Sequence, residues 1–220
     1  MDGAGTAAPR RGNGQPEKRR AITAAARVVF GREGYARATV DAIAAEAGVS
    51  KRTIYNHFTD KDELFRLVTL EGADEVTDTI HVLMERHLRK ILDLEEDLVA
   101  FGVDRARAIF DFPDHYALVR VLQAEVTRLP AATLETWRQA GPATAHLRLA
   151  PYLRAIADRG LLAIADADQA ANHFNLLTIT DVLQRSFYGA IPLSEAEIET
   201  VIGQGVTAFL RIYGAAEADA

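Results

Sequence analysis

Residues 39–65, TVDAIAAEAGVSKRTIYNHFTDKDELF, decide how the chain is read. Thr39 precedes Val40, Ile43, Ala44 and Ala47, apolar positions that share one face of a short helix over about 40–47. Its hydroxyl suits the N-cap of that helix, and Gly48 breaks the helix at its far end. Ser50 caps a further short helix over Lys51–His57, which carries Ile54 and Phe58 inward. Asp60 and Glu63 then stand at capping-box spacing ahead of a long helix that reaches about Leu88.

Helix, glycine turn and short second helix form a helix-turn-helix, whose second helix enters the DNA major groove by its N-terminal residues. About eight residues at 1.5 Å each give about 12 Å, which matches the width of that groove. Any αα-hairpin has the same spacing, so the charges at the helix starts matter. The first turn of a helix favours Asp and Glu, and later helices obey, with Asp62 and Glu63, Glu95 and Glu96, Asp114, and Glu195 and Glu197. Two helices depart from this. One follows Glu17 with Lys18, Arg19 and Arg20, and the other opens on Lys51 and Arg52 with no carboxylate in its first turn. A helix tip with free N–H groups and misplaced cations is completed by an external anion such as phosphate.

The rest of the 220 residues fits around this unit. The formal charge is −6, yet residues 1–60 carry a net +4 and the remainder −10, a basic head on an acidic body. Residues 1–15, rich in Gly, Ala and Pro, read as a mobile basic arm, residues 16–60 as the DNA-binding unit and 61–220 as a helical body. A stripe of Ile22, Ala25, Ala26, Val29 and Phe30 marks the first helix, ending near Gly34. Further helices are predicted over about 93–110, 114–129, 131–159 (bent at Gly141-Pro142 and near Pro151), 168–187 and 195–213, the last behind a Ser194/Glu197 capping box. No sustained alternation signals a strand, so the expectation is an all-α chain of about nine helices.

The chain has no cysteine, which excludes disulfides, thiolate metal sites and a thiol nucleophile. No apolar run suits a signal peptide or a membrane span, and a soluble, cytoplasmic protein is expected. Enzyme motifs are wanting too: there is no Glu-x-x-His pair, and the single Asp-x-x-His, Asp78 to His81, has no partner repeat. Asp111, Asp114 and His115 read as a loop and a helix cap. A small-molecule-binding helical enzyme and a helix-turn-helix serving only as an interaction module are the competing readings, and the cations at Lys51 and Arg52 weigh against the second.

Thr39–Phe65, with the preceding FGREGYARATV, resembles the DNA-binding domain of the TetR/AcrR family of bacterial transcriptional regulators. The resemblance is carried by Gly34-Tyr35, Thr39, the Ala-Gly-Val-Ser run to Ser50, Tyr55-x-His57-Phe58 and Lys61-x-x-Leu64-Phe65. It implies an N-terminal three-helix domain reading double-stranded DNA and a C-terminal helical domain for an effector and dimerisation, with no cofactor, metal or catalytic residue. Thr39 and Ser50 would cap their helices and donate hydroxyls to phosphates. Lys51, Arg52 and Thr53 would face base edges, with Arg52 suited to guanine O6 and N7. Tyr55 and His57 would reach phosphates, as would Lys61, and Asn56 could meet a base.

The resemblance further implies a homodimer on a near-palindromic operator, acting as a repressor released by an unknown small-molecule effector. The last two helices would form its interface through Phe174, Leu177, Thr178 and Val182 on one, and Ile198, Val201, Ile202, Val206, Phe209 and Tyr213 on the other, with Gly203 and Gly205 permitting close approach. A cavity among the fourth to seventh helices is implied, with Phe101, Phe110, Tyr116, Leu122, Trp137 and Leu147 as apolar candidates and His81, His115 or Arg120 as polar anchors.

Overall fold

The computed structural model describes residues 14–140 and 142–215. The regular elements among these residues are all helices: α1 Gly14–Glu33, α2 Val40–Glu46, α3 Lys51–Tyr55, α4 Lys61–His87, α5 Leu94–Asp111, α6 Pro113–Ala124, α7 Ala131–Ala140, α8 Pro142–Asp158, α9 Ala167–Leu177, α10 Ile179–Arg185 and α11 Glu195–Tyr213. The only extended pairing among them is a single bridge between Leu162 and Gly214, which pins the end of α11 to the turn after α8. The N-terminal arm lies outside the described residues up to position 13, and Gly14 and Gln15 already belong to α1.

Eleven helices replace the nine expected because two predicted helices are each divided. The first division falls where a bend was expected, with Pro142 opening α8, while Gly141 lies outside the described residues. The second was not anticipated. At Thr178 the backbone leaves helical geometry (φ −118°, ψ −78°), separating α9 from α10. Thr178 Oγ1 donates to the Phe174 carbonyl and Thr180 Oγ1 to the Asn175 carbonyl, so hydroxyls compete there with the backbone ladder.

The capping devices are largely as read. Thr39 Oγ1 accepts from Ala42 N at 3.1 Å, Ser50 Oγ from Thr53 N at 3.1 Å, and Ser194 with Glu197 forms a full capping box. At α4, Asp60 accepts from Glu63 N at 2.7 Å, but the Glu63 carboxylate takes Thr59 N rather than Asp60 N. Hydrogen bonding with Thr59 holds the Glu63 carboxyl below its ordinary pKa.

Two apolar cores are enclosed. One joins α5, α8, α9 and α11 with the distal half of α4, around Phe101, Phe174 and Phe209. The other encloses α1–α3, yet it also takes in Leu64, Phe65 and Val68 of α4 and Leu118, Val121 and Leu122 of α6. The head is therefore packed on the body across residue 60, where the sequence suggested a boundary. Phe30 meets Phe65 edge-on at 4.9 Å between ring centres, and Tyr35 lies 4.9 Å from Phe65 on its other side.

Candidate nucleic-acid interface and internal cavity

The cap at Ser50 turns the chain so that α3 projects Lys51 and Arg52 outward while Ile54 and Phe58 sink into the head core. The helix is shorter than predicted, ending at Tyr55, and continues as a tighter turn in which both His57 N and Phe58 N bond to the Ile54 carbonyl. Arg52 is exposed, and its guanidinium has no hydrogen bond or ion pair among the described residues. Tyr55 and Asn56 are exposed, and Thr53 and His57 half-buried. Ser50 and Thr53 share a hydroxyl hydrogen bond of 2.8 Å. The cap leaves Thr39 free to donate its own proton to an incoming acceptor.

Lys51 lies 2.8 Å from Asp41 on the first turn of α2, an exposed pair that raises the lysine's pKa and gives way readily to a phosphate. Lys61 opens α4 as expected, but most of its donors are used within the protein. Its ammonium donates to the carbonyls of Tyr35 (2.9 Å) and Ala38 (3.3 Å) and lies 4.5 Å from the centre of the Tyr35 ring. It clamps the α1–α2 turn to α4, with at most one N–H left for DNA. Of the cations opening α1, Lys18 and Arg20 are exposed, whereas Arg19 lies over the Phe58 ring at 5.2 Å. α7 and α8 also lack first-turn acids, but carry no cation there, so it is the cations that set α3 apart.

Within the body is a cavity of about 370 Å³ walled by α4, α5, α6, α7, α9 and α10. His115, Tyr116 and Trp137 line it as expected residues; Leu122 packs instead in the head core, Phe101 stacks on Phe174 in the body core, and His81 and Leu147 are exposed. Phe110 packs against the body core, and Arg120 donates to the Tyr188 carbonyl. Neither lines the cavity, although Tyr188 does. Tyr188 and Phe187 both have left-handed backbone (φ 53° and 47°), strained for residues with a Cβ.

Arg105 and Asn175, at the cavity wall, were missed by sequence reasoning. Arg105 follows Leu98 and Phe101 at inward-facing helical spacing, and an arginine in that register was the available signal. It is buried, and its Nη1 donates to Asn175 Oδ1. Burial lowers its pKa to about 10 and raises that of Tyr116 to about 12. His115 is pushed down to about 4, chiefly by burial and also by Arg27, against an opposing pull from Glu75. A lowered folded pKa gives stability that is present above about 6.5 and lost as pH falls toward 4. His115→Gln should therefore narrow its stability gap to the parent protein as urea titrations move from pH 7 to pH 4, and a constant gap would contradict this.

The expected interface residues are mostly interior to one protomer. Phe174, Thr178, Val182, Ile198, Val201, Ile202, Val206, Phe209 and Tyr213 are all buried within it, and Leu177 is half-buried. They pack α9 and α10 on α11 and α5. An apolar stripe is the same signal whether its partner helix lies in the same chain or another.

No helix among the described residues is long and apolar enough to cross a membrane. The family model for bacterial regulatory proteins of the tetR family matches residues 22–68, and the model for the AefR-like transcriptional repressor C-terminal domain matches residues 96–215. A TetR-family transcriptional regulator from Mesorhizobium loti superposes with a TM-score of 0.81 and 30% identity, over 91% of this chain and 98% of that one. The flavonoid-responsive regulator FrrA superposes with a TM-score of 0.65 and 28% identity, over 90% and 98% of the two chains. The transcriptional activator FasR of Mycolicibacterium smegmatis is 37% identical over 108 residues, 48% of this chain and 46% of FasR, so the chain spans about half the length of the curated relatives it matches. With a capped helix-turn-helix whose reading helix carries a free arginine, and a helical body matched over most of its length, the chain belongs to the TetR family of DNA-binding transcriptional regulators.

Proposed function

We propose that the protein is a homodimeric repressor that leaves a near-palindromic operator when a small organic molecule enters the body cavity. The observation that carries this is Arg52, exposed and unpartnered at the start of a reading helix that has no first-turn carboxylate. The match of the C-terminal half to a repressor-type domain supports the sign, and FrrA, responsive to flavonoids, supports an organic ligand. FasR is an activator, so the sign is open to direct test. In this reading Thr39, Ser50, Tyr55 and His57 contact phosphates, Arg52 and Thr53 face bases, and Lys51 exchanges Asp41 for the DNA backbone. Exposed Leu176, Phe187, Ile191 and Ile212, on or beside α9–α11, support dimerisation through that face.

α4 and α6 link the cavity to the head, joined by α7, whose Trp137 lines the cavity and packs against the head core. α4 runs from Lys61 beneath the reading unit to Ala73, Val76 and Ile80 at the cavity wall. α6 supplies His115, Tyr116, Val119 and Gln123 to the cavity and Leu118, Val121 and Leu122 to the head core. Past its end, Glu125 accepts from Ala36 N at 3.0 Å in the α1–α2 turn. A ligand that fits one arrangement of α4 and α6 better than the other shifts the two heads' separation, and one that fits both equally shifts nothing.

Selection of bound fragments from genomic DNA should return a near-palindrome. Arg52→Ala should then lose about 1–3 kcal/mol of binding and relax the choice at particular base pairs. An unchanged base preference would remove Arg52 from the base-reading role. Lys61→Ala should weaken all sequences alike and also lower the thermal midpoint, because its carbonyl clamp is lost.

A further inference from the structure

Taking the cavity as the effector site, we infer that it accepts a small monocarboxylate with an apolar body, its carboxylate received by the Arg105 guanidinium. The cavity, at about 370 Å³, is at the small end of the range for ligand sites. Its wall contains no Asp or Glu, and Arg105 makes no ion pair among the described residues. Arg105, only 6% exposed as a residue, thus faces neutral groups alone. A buried charge without a counter-charge is costly, and an anion entering the cavity removes that cost.

The remaining donors favour a carboxylate in particular. Nη1 of Arg105 donates to Asn175, while Nε is fully shielded and has no partner. Asn175 takes only one of the two Nη1 N–H groups, so the Nη1/Nη2 end of the guanidinium keeps donors that match the two oxygens of one carboxylate, a planar pairing. A phosphate would bring a second negative charge that the wall does not balance, since burial keeps His115 neutral near pH 7. Apolar lining from Val76, Val119 and Ile179 suits the body of the ligand. Elsewhere on the wall, Trp137 Nε1, which can only donate, is also buried without a partner, whereas His115 Nδ1 is turned toward Gly72 of α4. The Trp137 N–H calls for a second oxygen on the ligand, such as a hydroxyl or a carbonyl.

The test pairs acids with their uncharged amides: benzoate with benzamide, 4-hydroxybenzoate with 4-hydroxybenzamide, and octanoate with octanamide. Calorimetry on the full chain near neutral pH should show at least one acid binding tenfold or more tighter than its amide. 4-Hydroxybenzoate should exceed benzoate. Arg105→Met should erase the acid preference, and Arg105→Lys should keep part of it. If Arg105→Met does not fold, the acid–amide comparison on the unaltered protein still decides. Amides that bind as tightly as the acids, or no binding by any acid in the panel, would overturn the inference. Release of operator DNA by each compound separates this from the wider proposal. Release by amides alone keeps the regulator and discards the acid, whereas acids that bind without releasing DNA keep the site and discard its coupling.

Discussion

Gly205→Ala should destabilise the body by at least about 3 kcal/mol, at the top of the range for overpacking in a core. A Cβ added at Gly205 would stand 2.1 Å from the Leu177 carbonyl oxygen and 2.8 Å from its carbon. Both are backbone atoms, so no side-chain rotation can relieve the contact. The residue meeting α11 there is the last of α9, directly before the break at Thr178, and Thr178 Cγ2 closes the other side at 2.9 Å. The methyl group must push α11 away from α9, separating the edge-to-face pair of Phe174 and Phe209, whose ring centres are 5.3 Å apart. Urea denaturation followed by tryptophan-independent circular dichroism would measure the loss. An unchanged midpoint would mean that α11 does not approach the α9–α10 break this closely. Gly203, two residues earlier, has nothing within 4 Å of an added Cβ, so Gly203→Ala should show no comparable loss within the protomer.

The same pair of helices shows why part of the molecule was legible in the sequence and part was not. Thr39, Gly48 and Ser50 each act on the backbone within three or four residues, so their roles can be read from spacing, and the hydrogen bonds at α2 and α3 follow that spacing. The break at Thr178 depends on hydroxyls competing with the helix ladder and on a glycine 27 positions later in the chain, reached only through the fold. The same distinction separates the two functional regions. The reading helix is a local unit, visible as a motif. The cavity gathers Arg105, His115, Trp137 and Asn175 from four helices, and no spacing between them has meaning before the chain is folded. Lys61 shows the intermediate case: its position matched a family pattern, but the use of its donors was decided by the Tyr35 and Ala38 carbonyls of a distant turn.

Phe65→Ala should cost about 3–5 kcal/mol, the range for removing a fully buried phenylalanine, and it should do so in the head rather than the body. Phe65 is inaccessible to solvent and sits between Phe30 of α1 and Tyr35 of the following turn. Its ring supports the underside of Tyr35, whose hydroxyl bonds Asp62 and whose carbonyl holds Lys61. Losing the ring leaves a cavity at the junction of α1, α4 and the turn that leads into α2. Because the two cores are separate, local opening should follow the core that is damaged. In hydrogen exchange, amides of α1–α3 should lose protection in Phe65→Ala, while those of α5 and α11 keep theirs. Gly205→Ala should give the reverse pattern. Operator affinity should fall in Phe65→Ala even at temperatures where the body remains folded, since Ser50 and Arg52 can present a fixed reading surface only if α3 is held on that core. Equal loss of protection in head and body would show instead that α4 and α6 bind the two cores into one cooperative unit, and the route proposed for ligand control would then have to pass through global rather than local rearrangement.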